Sequence, residues 1–164
     1  MKSLLISLPT ENYKQGLYYN DWLDEITLQL SCDVYTIGDT QSKSLSNYDF
    51  IILGHSFIDY FVKLCRFRSL NITNNIFIDL VIRNNFLLRK IQETNALKIL
   101  FSKNDYKNIK IKSLMMKSLG IKSCITHSLN SYQLFYKYKK LFSKTEIFWL
   151  PFGVDEKNFL NLNK

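Results

Sequence analysis

Ile147-Phe148-Trp149-Leu150-Pro151-Phe152-Gly153-Val154-Asp155-Glu156-Lys157-Asn158-Phe159 opens as an apolar run with two aromatics and stops at a proline. β-Branched and aromatic residues favour a pleated, covered surface, so the run reads as a buried strand. Pro151 has no N–H to give to a ladder and ends the strand. Gly153 then permits a backbone turn that a side chain would hinder.

Short apolar runs closed by turn residues recur upstream. Leu4-Leu5-Ile6-Ser7-Leu8 leads into Pro9-Thr10, Val34-Tyr35-Thr36-Ile37 into Gly38, and Phe50-Ile51-Ile52-Leu53 into Gly54-His55-Ser56. Leu97-Lys98-Ile99-Leu100-Phe101-Ser102 precedes Lys103-Asn104-Asp105, and Ser123-Cys124-Ile125-Thr126 precedes His127-Ser128. Continuous rather than alternating apolar character marks strands covered on both sides, as in a parallel sheet.

Helical spacing fills the intervals. Tyr19, Trp22, Leu23, Ile26 and Leu30 share one face, residues 57–69 fit a helix ending near Arg66 or Arg68, and residues 39–48 are a serine-rich loop. Leu80 to Ile91 is helical in pattern, whereas Ile76-Phe77-Ile78 fits a short strand as well. Tyr106 to Leu119 gathers Ile109, Ile111, Met115, Met116 and Leu119 on one arc that also holds Lys112, and Gly120 suits its C-cap. Ser128 N-caps a last helix through about Phe142. Strands alternating with helices predict an α/β class. The expected architecture is one Rossmann-like domain over residues 1–164, an open, mostly parallel sheet of about five or six strands with right-handed crossovers and helices on both faces.

A length of 164 residues with 46% hydrophobic and 15% aromatic content predicts a packed globule. Cys32, Cys65 and Cys124 are odd in number and form no C-x-x-C pair, which favours reduced thiols over a disulfide frame or a zinc site. The apolar start is too short for a signal peptide, and no run approaches the roughly 20 residues of a membrane span. The expectation is a cytoplasmic chain that is at most peripheral at the inner membrane face. The net charge of +8 is uneven: residues 1–64 hold four lysines against eight acids, and residues 65–144 hold sixteen Lys/Arg against three acids. Such a basic middle either concentrates anionic partners or is simply a solvated lysine-rich surface.

In an open parallel sheet, ligands bind beyond the carboxyl ends of the strands. The residues after each strand are therefore the candidates, and both histidines of the chain fall among them. His55, beside Gly54, suits a base or a donor near neutral pH, or a turn histidine bonded to local backbone. Asp105 suits acceptance from a substrate hydroxyl with Asn104 orienting it, or N-capping of the helix that follows. His127 suits the same crevice, or a cap beside Ser128. No G-x-G-x-x-G follows the first strand, and no Walker lysine-serine pair, G-x-S-x-G or metal-ligand spacing occurs, so no cofactor or metal is expected. The aromatics Tyr132, Phe135, Tyr136, Tyr138 and Phe142, interleaved with lysines, read first as a core-facing edge and only second as a base-stacking surface.

Leu150-Pro151-Phe152-Gly153-Val154-Asp155, with Phe159 four residues on, resembles the segment that closes the N-terminal domain of GT-B glycosyltransferases and leads into their second domain. The resemblance is to the retaining, sugar-nucleotide-dependent branch and its spore-coat-like relatives. It implies an acceptor-side domain whose crevice, lined by His55, Asp105 and His127 in catalytic positions, takes a glycan or lipid-linked acceptor. Thr10, Ser56, Lys103, Asn104, Gly153 and Asp155 would contact substrate. The nucleotide-sugar donor would be brought by a second domain that this sequence lacks, so transfer by the chain alone is not expected. An anionic membrane surface, where lipid-linked acceptors reside, would suit the basic middle. The alternative is a receiver- or flavodoxin-like module whose basic face meets protein or, less favoured, nucleic acid. A receiver would want clustered acids after the first strand, and Pro9-Thr10-Glu11 supplies one.

Overall fold

The computed structural model describes residues 1–8, 27–39, 44–66, 75–102, 107–127, 129–141 and 144–150. Six strands, β1 (Ser3–Ser7), β2 (Asp33–Thr36), β3 (Phe50–Leu53), β4 (Leu97–Ser102), β5 (Ser123–Thr126) and β6 (Glu146–Trp149), form one sheet in the order β2-β1-β3-β4-β5-β6. Every neighbouring pair is parallel. The helices are α1 (His55–Arg66), α2 (Asn75–Arg83), α3 (Phe86–Glu93), α4 (Ile109–Leu119) and α5 (Leu129–Lys137), with 3-10 turns at Leu45–Asn47 and Lys139–Leu141.

Strand residues alternate between two faces, and the parallel register keeps the faces aligned across the sheet. Leu4, Ile51, Lys98 and Cys124 stand on one side and Leu5, Ile52, Ile99 and Ser123 on the other. From β3 onward each crossover steps towards β6, so right-handed connections put their helices on a single face. The core agrees: Phe57, Phe61, Ile78, Ile82, Leu88, Ile91, Met115, Met116 and Phe135, from all five helices, pack with Leu4, Ile6, Ile51, Leu53 and Leu100 in one cluster. The β1–β2 crossover steps the opposite way. Cys32, near its end, packs with Leu5, Ile52 and Phe101 on the other face, and its N–H donates to Thr27 in the helical turn Thr27–Gln29. Helices thus flank the sheet, five of them on one side.

Four expectations need correction. β6 is not a buried strand: it forms the edge of the sheet, and Phe148, Trp149 and Leu150 are each about half exposed. α5 ends at Lys137 and is followed by the 3-10 turn Lys139–Leu141, short of the expected helix end. Ile76-Phe77-Ile78 is the first turn of α2 rather than a strand, because Ile78, Val81 and Ile82 form a buried helical stripe. The Leu80–Ile91 helix is two helices, broken at Asn84–Asn85, where the Asn85 side chain accepts from Leu88 N–H at 3.0 Å and N-caps α3. The Asn85 amide also donates to Tyr60 Oη at 2.8 Å, joining α3 to α1. Replacing Asn85 by alanine is expected to cost about 1–2 kcal/mol, with Tyr60→Phe removing the smaller share; urea unfolding of the two variants measures the split.

Gly120 does cap α4 in the left-handed region, its N–H donating to Lys117 and Met116 carbonyls. Lys112 is buried with the apolar arc of α4. Lys98 is buried too: its core-facing ammonium donates to the carbonyls of Gln92 (3.3 Å) and Thr94 (3.0 Å), satisfying acceptors left over at the end of α3. That burial, with Lys122 nearby, pushes the Lys98 ammonium below its usual range. The three cysteines are free thiols, Cys65 and Cys124 buried and Cys32 half-buried. Burial pushes Cys65 up to about 11, which keeps it protonated and inert at neutral pH. Phe135 is core and Tyr136 is exposed with Lys139 over its ring, while the side chains of Tyr132 and Phe142 lie outside the described residues.

Candidate functional site

The carboxyl ends of the strands form the crevice edge. The chain leaves β1 for a strand on one side and β3 for a strand on the other, so their adjacent exits make the topological switch point of the sheet. Gly54 is the single residue between β3 and α1. Its N–H donates to Ile6 O, and its carbonyl accepts from Phe57 N–H at 3.0 Å, so the helix starts as soon as the strand stops. Ser56, in the first turn, accepts from Leu8 N–H at 3.1 Å. That bond holds the β1 exit against α1, so the predicted substrate contact at Ser56 has a structural duty; the hydroxyl keeps its proton to donate.

His55 is the first residue of α1 and is 8% exposed. Burial pushes its imidazole below the ordinary histidine range; Asp59 opposes this, and His127 adds to it. The positive end of α1 works in the same direction as burial. The neutral ring is therefore favoured. Protons are bound more tightly by the unfolded chain than by the folded one, so stability gained from neutral His55 is complete above the ordinary pKa near 6.5 and is lost as pH falls through the lower folded value. Thermal unfolding between pH 4 and 8 (about the span a histidine titrates over) is expected to show this acid loss, and His55→Gln is expected to reduce it.

His127 directly follows β5. Its Nδ1 lies 3.2 Å from Leu150 O, and its own carbonyl accepts from Trp149 Nε1 at 3.3 Å. A carbonyl only accepts, so Nδ1 carries the proton and Nε2 the lone pair in the neutral ring. Leu150 N–H donates to Thr126 O at 2.8 Å, which completes the stitching of the β5 and β6 exits. Leu150, the last described residue at the exit of β6, thus orients His127.

The two histidines come from β3–α1 and β5–α5, on either side of β4, and a charge on His127 would disfavour protonation of His55. The intervening exit is Ser102, which pairs in register with Thr126; both are fully buried on the helix-bearing side. Sequence reading missed these two, although strand parity alone puts Ser102 on the side of Lys98 and Leu100. Lys103, Asn104 and Asp105 continue directly from Ser102 but lie outside the described residues, as do Thr10, Gly153 and Asp155. The N-cap of α4 is Asn108, in the left-handed region without a side-chain cap bond, so this helix starts three residues later than expected, and the expected cap at Asp105 lies outside the described residues.

Among the described residues no three His, Cys, Asp or Glu side chains gather in a way that would hold a metal. No helix among them is long and apolar enough to cross a membrane. The strand exits instead offer two imidazoles, one of them driven neutral by burial, flanking a buried serine–threonine pair. Such groups can take a proton from a hydroxyl or donate hydrogen bonds to one. The chain matches no family model, no curated protein and no solved structure.

Proposed function

We propose that this chain is the acceptor-side half of a GT-B-like glycosyltransferase, binding a glycan or lipid-linked acceptor in the crevice between His55 and His127. The observation that carries the proposal is the placement of both histidines at the exits of β3 and β5, with His127 oriented by Leu150 at the head of the Leu-Pro-Phe-Gly-Val-Asp segment. In the transfer the acceptor oxygen bonds to the donor's anomeric carbon as the nucleoside diphosphate leaves, and the hydroxyl proton passes to the lone pair of His127 Nε2. That atom is shielded from solvent in the free chain, so the acceptor must uncover it; neutral His55 donates to a neighbouring hydroxyl of the same sugar. The donor nucleotide-sugar is bound by another domain or subunit. The observed order 2-1-3-4-5-6 is compatible: the dinucleotide-binding order 3-2-1-4-5-6 without its outermost strand becomes, on renumbering, 2-1-3-4-5, to which this sheet adds one strand.

That same order is also the flavodoxin-like one with a strand added at the β6 edge, which favours a second reading as an α/β binding module. Two titrations separate them. UDP, GDP and their sugar conjugates are titrated calorimetrically, and a panel of oligosaccharides is followed by imidazole NMR of His55 and His127. An acceptor half shows no saturable nucleotide binding and a saturable shift of both imidazoles with an oligosaccharide. Saturable nucleotide-sugar binding would put the donor site on this chain and overturn the acceptor-half assignment. Silent imidazoles across the panel would favour the binding module.

A further inference from the structure

The hairpin of α2 and α3 carries an outer surface that the crevice does not use. Ile76, Leu80 and Arg83 fall at positions i, i+4 and i+7 of α2, directly opposite its buried stripe Ile78, Val81 and Ile82. Ile76 is 74% and Leu80 47% exposed. Phe86, Arg89 and Lys90 fall at i, i+3 and i+4 of α3, opposite buried Leu88 and Ile91, and Phe86 is 60% exposed. The Lys90 ammonium stands 4.3 Å and the Arg89 guanidinium 5.9 Å from the centroid of the Phe86 ring. Three large apolar side chains and three cations thus share the solvent side of consecutive helices. Of the acids on this hairpin, Glu93 ends the α3 stripe, and Asp79 accepts from Ser118 Oγ on α4.

We propose that this surface docks the protein on an anionic lipid bilayer. Exposed aliphatic and aromatic side chains ringed by Arg and Lys are what an interfacial helix presents: the apolar groups enter the acyl boundary while the cations meet headgroup phosphates. Charge complementarity selects an anionic surface, since the segment 65–144 carries sixteen Lys/Arg against three acids. The aliphatic groups select lipid over nucleic acid. Phosphodiesters and base faces reward cations and rings, whereas Ile76 and Leu80 gain nothing from them. Docking through the hairpin shares no residue with the crevice and is independent of the transferase proposal.

Sedimentation of the full chain with vesicles tests it. The chain is expected to bind vesicles of phosphatidylglycerol and phosphatidylcholine, not phosphatidylcholine alone, and to be released by salt. Each cation near the surface contributes about fivefold in affinity, so the triple change R83Q/R89Q/K90Q is expected to weaken binding about 100-fold. The triple change I76S/L80S/F86S is expected to weaken it at least about tenfold, because insertion is lost. Five of the six side chains replaced are exposed and Lys90 is half-buried, and circular dichroism with thermal unfolding verifies that both variants fold. Absence of binding to the anionic vesicles overturns the proposal. So does an apolar triple variant that binds vesicles like the parent, or one that binds a single-stranded RNA oligomer as tightly as the parent does while the parent prefers RNA to vesicles.

Discussion

Phe61→Ala is expected to lower the unfolding free energy by about 3–5 kcal/mol, a large part of the 5–15 kcal/mol that typically holds a domain together. Phe61 is 0% exposed and lies in α1, the helix whose buried stripe Phe57, Ile58, Phe61, Val62 and Cys65 packs on the central strands. Truncation there removes the transfer free energy of a benzyl group and leaves a cavity that neighbours on the sheet cannot fill, since strand backbones are pinned on both edges. Phe61→Leu, which retains much of the volume, is expected to cost less than half as much. Urea unfolding measures both. A loss below about 1.5 kcal/mol for Phe61→Ala would mean that α1 is not seated on the sheet as described, and with it the position of His55 would be withdrawn.

His127→Ala is expected to slow acceptor glycosylation by about 10²–10⁴-fold, the range removed with a general base, when a donor-binding half is supplied. The size follows from the orientation of the ring. Nδ1–H is committed to Leu150 O, so the lone pair at Nε2, an atom shielded from solvent in the free chain, is held in one direction. The companion His127→Asn retains an amide N–H that can reach Leu150 O but has no basic nitrogen. Asparagine is therefore expected to keep the β5 and β6 exits joined and the fold stable while transfer stays slow. Parental transfer rates in His127→Asn would reduce the imidazole to a strand-exit tie.

The sheet was legible because its central strands are continuous apolar runs closed by turn residues: β3, β4 and β5 have the bounds their patterns predict, and β1, β2 and β6 differ by a residue. Parallelism followed from the helices between them. What misled was local ambiguity of period. Ile76-Phe77-Ile78 is β-branched and aromatic, yet its partners come four residues later, on a helix whose end is dictated by the Asn84–Asn85 turn. The start of α4 was misplaced for a related reason, because the chain turns through left-handed Asn108 after the strand exit rather than entering the helix at once. In the crevice, both histidines were visible as strand-exit residues. The tie from His127 to Leu150 was not, since it joins positions 23 residues apart across two strands that nothing in the sequence marks as neighbours. Lys98 shows the limit of residue-type reasoning: a lysine in a strand reads as an edge or solvent position, and only strand parity with the nearby end of α3 reveals a buried cap.

The one-directional run β3-β4-β5-β6 has a consequence for synthesis on the ribosome. Once Leu53 is clear of the exit tunnel, β2, β1 and β3 can assemble as a three-stranded seed, and every later strand adds to the growing side in the order it is made. The waiting time of each open edge is then set by the length of the next crossover. Residues 54–96 separate β3 from β4, whereas residues 103–122 separate β4 from β5 and residues 127–145 separate β5 from β6. At about 5–20 residues per second, the edge of β3 stays unpaired for about 2–9 s, roughly twice as long as either edge that follows. β3, Phe50-Ile51-Ile52-Leu53, is also apolar at every position, so nascent chains stalled before Leu97 are the ones expected to pair with the wrong partner.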